Sequence, residues 1–162
     1  MLRFVDVVEE CLTETRDLQE YVILSYVWGS IQSYRVTTAK LKSLAEPGGI
    51  ESAMHLLPKT IRDAMLLCKK LGARFLSGRC PLPRTGRSGR GVNVMHRIYE
   101  HAWLTIVAAC GHNANAGLPG VGQESRLGRD NAVEVTPGMC LGVVMPLDIS
   151  MEQSVYNSRA WT

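Results

Sequence analysis

His96, Glu100 and His101 are the residues whose types and spacing first suggest chemistry. On a helix, His96 and Glu100 stand at i and i+4 and share a face, the arrangement of two ligands on one metal ion. His101 points about a third of a turn away, and no third ligand is evident, so the pattern predicts no metal site. His112 has no Ser or Cys partner at motif spacing, which excludes a recognisable nucleophilic triad. Five cysteines, Cys11, Cys68, Cys80, Cys110 and Cys140, include no C-x-x-C pair. Their odd count and wide spacing predict reduced thiols, mostly buried as small apolar residues in an intracellular chain.

Two further sets depend on what positions them. "YVILSYVWG" is an almost continuous apolar run, as in a strand covered on both faces of a parallel sheet. Ligands of open α/β sheets sit beyond the carboxyl ends of strands, which makes Ser25, Tyr26, Trp28 and Gly29 candidate ligand-facing residues. Gly29 would admit a phosphate or ribose to the backbone and Trp28 would stack on a base; the competing reading packs Tyr26 and Trp28 under a helix. Asn113 and Asn115, in a Gly/Asn-rich loop predicted over 111–131, offer amide contacts or serve only as turn formers. The second set is basic. Residues 77–92 read as an Arg/Gly-rich loop, and "GRSGRG" within it lacks the strand-before-helix context of a dinucleotide-binding turn. A minor alternative gives 79–90 to RNA, with Arg84, Arg87 and Arg90 as contacts, but the segment holds no aromatic on which a base would stack.

The elements that must hold these residues alternate. "RFVDVV" is a short strand candidate, followed by an acidic connection to Gln19. Thr38 to Ala45 predicts a helix stopped at Pro47-Gly48-Gly49. "LPKTIRDAMLLCKKLG" predicts the strongest helix, with Ile61, Ala64, Met65, Cys68 and Leu71 on one face, Pro58 at its start and Gly72 at its end. "ARFL" begins a strand that the arginine-glycine stretch cuts off. "VMHRIYEHA" predicts a helix, "WLTIVAAC" another buried strand, and "AVEVTPGMCLGVVMPL" a hairpin turning at Pro137-Gly138. The closing "MEQSVYNSRAWT" reads as the first turn of a further element. This alternation predicts an α/β fold with a parallel sheet, helices on both faces and a C-terminal β-hairpin.

Bulk properties narrow the classes. With 162 residues, 46% hydrophobic and 20% charged, the chain reads as one globular domain rather than a disordered one. It has no apolar run of membrane-spanning length, and acids at Asp6, Glu9 and Glu10 interrupt any leader-like start, so the sequence predicts a cytoplasmic protein without a membrane anchor. The net charge is +3, yet six arginines and no acid lie between Arg74 and Arg97. The remainder carries 12 bases against 15 acids. A basic balance confined to one stretch argues against a general nucleic-acid surface.

Four blocks in order, "YVILSYVWG", "LPKTIRDAMLLCKKLGARFL", "MHRIYEHAWLTIVAACGHNANAGLPGV" and "SRAWT", resemble the fungal heterokaryon-incompatibility (HET) domain over nearly the whole chain. The resemblance implies an effector of non-self recognition and programmed cell death. It also implies protein partners or self-association, and a fold similar to the flavodoxin-like Toll/interleukin-1-receptor (TIR) domain. Some TIR-like domains cleave NAD with one glutamate, so NAD is an implied ligand. The last block adds Arg159 and Trp161 to the candidate ligand-binding residues. The chain departs from the family in two places. Where relatives carry "IDSLCI" and an acidic segment, Phe75-Leu76 runs into the Arg/Gly-rich stretch. The family's closing "RAWTFQE" is present only to Thr162, without its Gln-Glu. A carboxylate is needed to stabilise an oxocarbenium-like transition state, and Asp63 and Glu100 fall on helices. The reading is therefore a single partial HET-like domain over 1–162, an incomplete flavodoxin/TIR-like sheet, degenerate and without catalytic residues. Loss of a central strand would leave apolar helix faces bare and the protein prone to aggregate.

Overall fold

The computed structural model describes residues 2–15, 20–29, 38–78, 92–122, 132–142, 147–152 and 154–158. Its main sheet has five strands: β1 (Leu2–Asp6), β2 (Cys11–Thr15), β3 (Tyr21–Tyr26), β4 (Phe75–Gly78) and β5 (Leu104–Ala108), in the order β2-β1-β4-β3-β5. β4, β3 and β5 are parallel, whereas β1 runs antiparallel to both β2 and β4. The sheet is mixed, not wholly parallel as the sequence suggested. The stretch expected to be an acidic connection contains β2, paired with β1 from Leu2 against Thr15 to Asp6 against Cys11. A parallel neighbour would need a crossover of a dozen residues or more, and the short link between β1 and β2 allows only a hairpin.

Helices cover both faces. α1 (Thr38–Ala45), α2 (Gly49–Ala53) and α3 (Lys59–Leu71), with a single 3₁₀ turn at Met54–Leu56, lie on one side. There Leu44, Ile50, Ile61, Ala64, Met65 and Cys68 pack against Val5, Val22, Leu24, Leu76 and Ile106 of the sheet. α4 (Val92–Glu100) lies on the other side, where Ile98 and Tyr99 meet Phe4, Tyr21, Ile23 and Phe75. Tyr21 is fully buried there and its hydroxyl donates to the Ile98 carbonyl. The register alternates as a two-faced strand requires: Val22, Leu24 and Tyr26 face α3, while Tyr21 and Ile23 face α4.

α3 follows its sequence closely. Pro58 precedes its first residue, and Gly72 closes it at φ 74°, in the left-handed region that glycine adopts without strain. Ile61, Ala64, Met65 and Cys68 are buried as the periodicity demanded, but Leu71 is exposed. α2 starts at Gly49, where a stop was expected; the amides of Gly48 and Ile50 donate to the carbonyls of Glu9 and Glu10 at 2.8 Å, so the β1–β2 turn props up this short helix.

Two expectations about strands are corrected. The central strand that the Arg/Gly-rich stretch seemed to interrupt is present: β4 continues through Ser77 and Gly78 and pairs with β1 on one side and β3 on the other. Ser77 is buried. The stretch therefore enters from the end of a completed strand; residues 79–91, including Arg84, Arg87 and Arg90, lie outside the described residues. Conversely, β5 was expected to be a buried strand, and only Ile106 and Ala108 of it are buried. It is the edge of the sheet among the described residues, and Leu104, Thr105 and Val107 are exposed. A separate hairpin, β6 (Ala132–Thr136) and β7 (Met139–Gly142), turns at Pro137-Gly138 as expected, with Gly138 at φ 82°. α5 (Leu147–Glu152) follows it. Among the described residues no helix is long and apolar enough to cross a membrane.

Candidate functional site

The carboxyl ends of β3 and β5 form the place where an open α/β sheet binds its ligands. From β3 the chain passes over one face to reach β4, then over the other face to reach β5 on the opposite side of β3. The crevice opens where those two directions part, between β3 and β5. Ser25, Tyr26, Trp28 and Gly29 stand at its β3 side.

What fills the crevice is the chain itself. Gly29 has φ 68°, and a Cβ built on it would lie 2.6 Å from the Asn113 Cβ. The approach that the sequence reading offered to a phosphate or ribose is taken by Asn113. The Ala114 amide donates to the Trp28 carbonyl at 3.3 Å, fastening the loop after β5 to the end of β3. Trp28 is half-buried against the α3-side core and stacked on Tyr26, with ring centroids 6.1 Å apart; Tyr26 is buried. Ser25 shares the face of Tyr21 and Ile23, and its hydroxyl lies 2.7 Å from the Tyr156 hydroxyl, in the segment that follows α5.

The loop after β5 is docked over its described part, 111–122. The Asn113 side-chain oxygen accepts from the Asn115 amide at 2.8 Å, a local turn. Asn115 accepts from the Lys59 amide at 3.3 Å, and the Ala114 carbonyl accepts from the Thr60 amide at 3.1 Å. These are the first two amides of α3, which helix geometry leaves without internal partners. In return the Thr60 hydroxyl accepts from the Gly117 amide at 3.0 Å, and Asp63 accepts from the Leu118 amide at 2.8 Å. Lys70 donates to the Val121 carbonyl at 2.9 Å. Asp63, a carboxylate weighed for catalysis, thus holds a loop. Of the other candidates, His101 Nδ1 lies 2.7 Å from the Arg97 carbonyl, while His96 and Glu100 are exposed. No group of three metal-ligating side chains occurs among the described residues. Arg159 and Trp161 lie outside them.

Among the described residues the buried carboxylate is Asp6, at the opposite end of the sheet, paired in register with Phe75 at the start of β4. One oxygen accepts from the Val8 and Glu9 amides at 3.0 and 3.1 Å, and the other from Arg74 Nε at 2.8 Å. Burial pushes its pKa up, but the Glu9 amide, the Arg74 guanidinium and the Val8 amide together outweigh that and hold it below the usual carboxylate value. Arg74 lies 5.4 Å above the Phe75 ring. Sequence reasoning passed over Asp6, Thr60 and Tyr156. A carboxylate just before a tight turn was a usable signal for Asp6; nothing local marks Thr60 or Tyr156, whose partners lie 57 and 131 residues away.

A βαβαβ core of strand order β4-β3-β5, with helices on opposite faces and a crevice at the reversal, defines an open α/β domain of the doubly wound kind. The chain belongs to the heterokaryon incompatibility protein (HET) family, whose model matches residues 21–162. No curated protein and no solved structure matches it.

Proposed function

We propose that this chain is a non-catalytic interaction module of incompatibility signalling, of the kind that in fungal relatives leads to growth arrest and programmed cell death. One observation carries the reading. The stretches immediately after each parallel strand, 27–45 after β3, 79–99 after β4 and 109–122 after β5, contain no Asp or Glu; the next acids in sequence are Glu46, Glu100 and Glu124. A glycosidic bond at this end of the sheet would find no carboxylate on any of them to stabilise its transition state. Asp63, which α3 brings nearby, is engaged by the loop at Leu118. The fit to a nicotinamide nucleotide is poor as well, because Asn113 occupies the close approach at Gly29. In this reading the contact surface is the C-terminal ends of β3 and β5 with the docked loop.

The alternative is a TIR-like domain that binds or cleaves NAD beside Ser25, Tyr26, Trp28 and Gly29; the aromatic pair at that strand end favours it. Incubating the purified chain with NAD and following nicotinamide release separates the two. The expected result is no release above a buffer control. Turnover that Trp28→Ala abolishes would overturn the non-catalytic reading.

A further inference from the structure

We propose that β5 pairs with β5 of a second copy of this chain, antiparallel and centred on Ile106, so that the main sheet continues across a two-fold axis. The inference is independent of the reading above, because it concerns the edge of the sheet and not its carboxyl end.

β5 is the edge strand among the described residues, and its own sequence carries no device that keeps edges apart. "LTIVA" has no charge, no proline and no bulge. The opposite edge, β2, carries Glu14, which is ion-paired to Arg3 across the hairpin. Beside the β5 edge, Trp103 is 56% exposed, Leu104 38% and Val107 40%. Such a strand is a template for a further strand.

The strand is also its own complement. In the antiparallel register centred on Ile106, Trp103 falls opposite Ala109 and Leu104 opposite Ala108 of the second copy, each bulky side chain against a small one. Thr105 falls opposite Val107, a β-branched pair of the type favoured across strands. A two-fold axis brings any charge close to it near its own copy, and here there is none to repel: no Lys, Arg, Asp or Glu lies between His101 and Glu124. The strand spans about 17 Å at roughly 3.4 Å per residue. An interface built on one such pairing falls in the small, transient class, below about 1,200 Å² in total. Reversible dimerisation of roughly micromolar strength follows.

Sedimentation equilibrium on the full chain, from about 1 to 100 μM, tests this. Mass rising from monomer to dimer is expected. Val107→Lys places two ammonium groups close to the axis and is expected to weaken the dimer at least about tenfold, while Val107→Thr leaves it within a factor of about two and circular-dichroism melts stay unchanged. Leu104→Lys, at an equally exposed site, serves if Val107→Lys does not fold. A monomer throughout the range overturns the proposal. So does a dimer that survives both lysine variants, or one lost instead with Val133→Lys and Leu141→Lys, which would move the contact to the β6–β7 hairpin.

Discussion

Asp6 shows how one side chain can be conspicuous in the structure without serving chemistry. Its two oxygens close the β1–β2 turn and fix Arg74 at the mouth of β4. Replacing it with Asn keeps an acceptor for the amides and removes the charge facing Arg74. Urea unfolding at pH 7 is expected to show a loss of about 1–2 kcal/mol, in the lower part of the range for charged hydrogen bonds because Arg74 is half-exposed. The sign of its pH dependence follows from the lowered pKa. The stabilisation is fully present above the ordinary carboxylate value of 3.8 and is lost as pH falls through the lower folded-state value. The gap between the native chain and Asp6→Asn should therefore narrow as the pH is taken below that value. Cys68 makes a second residue-level case. It is fully buried in the α3-side core, and burial pushes its thiol up to about 11, so almost no thiolate exists at neutral pH. Alkylation of the native protein followed by peptide mapping should label exposed Cys110 and leave Cys68 unmodified until the chain unfolds.

At the scale of elements, the crevice wall is held by a backbone that only glycine fits. Gly29→Ala would set a Cβ against Asn113 and force a left-handed φ on a non-glycine residue. A cost of about 1–3 kcal/mol is expected, read as a lowered melting midpoint. Much at this scale was legible in the sequence. α3 has an apolar stripe and glycine punctuation; β3 has a run of buried apolar residues; the β6–β7 turn has Pro137-Gly138. β2 and α2 were not legible, for physical reasons. β2 is an edge strand with half-buried Thr13 and exposed Glu14, so its composition resembles a connection. The turn before it uses Glu10 at φ 52°, with no glycine or asparagine to announce it. α2 rests on carbonyls of that turn some 40 residues earlier, a dependence that no local window contains. The candidate site was half legible. Its β3 residues were placed by strand pattern alone, but that Asn113 packs against Gly29 and Asn115 accepts from the start of α3 could be learned only from where β5 and α3 lie.

For the whole molecule, the misjudged strand changes where apolar surface is exposed. With β4 in place, the open surface is not the flank of a missing strand. Among the described residues it includes the β5 edge and the β6–β7 hairpin, where register puts Val133 opposite Leu141. Val133 and Leu141 are 69% and 63% exposed. A two-stranded hairpin is at best marginal alone. Val133→Thr with Leu141→Thr is expected to raise the concentration at which the protein precipitates while leaving its main melting transition in place. The docking of the loop after β5 onto α3 has a consequence in time as well. α3 has no side-chain cap of its own at Pro58; its first amides are satisfied by Ala114 and Asn115, more than fifty residues downstream. Its opening turn cannot be completed as the chain emerges, only after β5 has found β3. Non-local closure of this kind is slow to form. Asn115→Ala should accordingly speed unfolding and leave the folding rate almost unchanged, a kinetic signature of an amino terminus that is the last part of its helix to set.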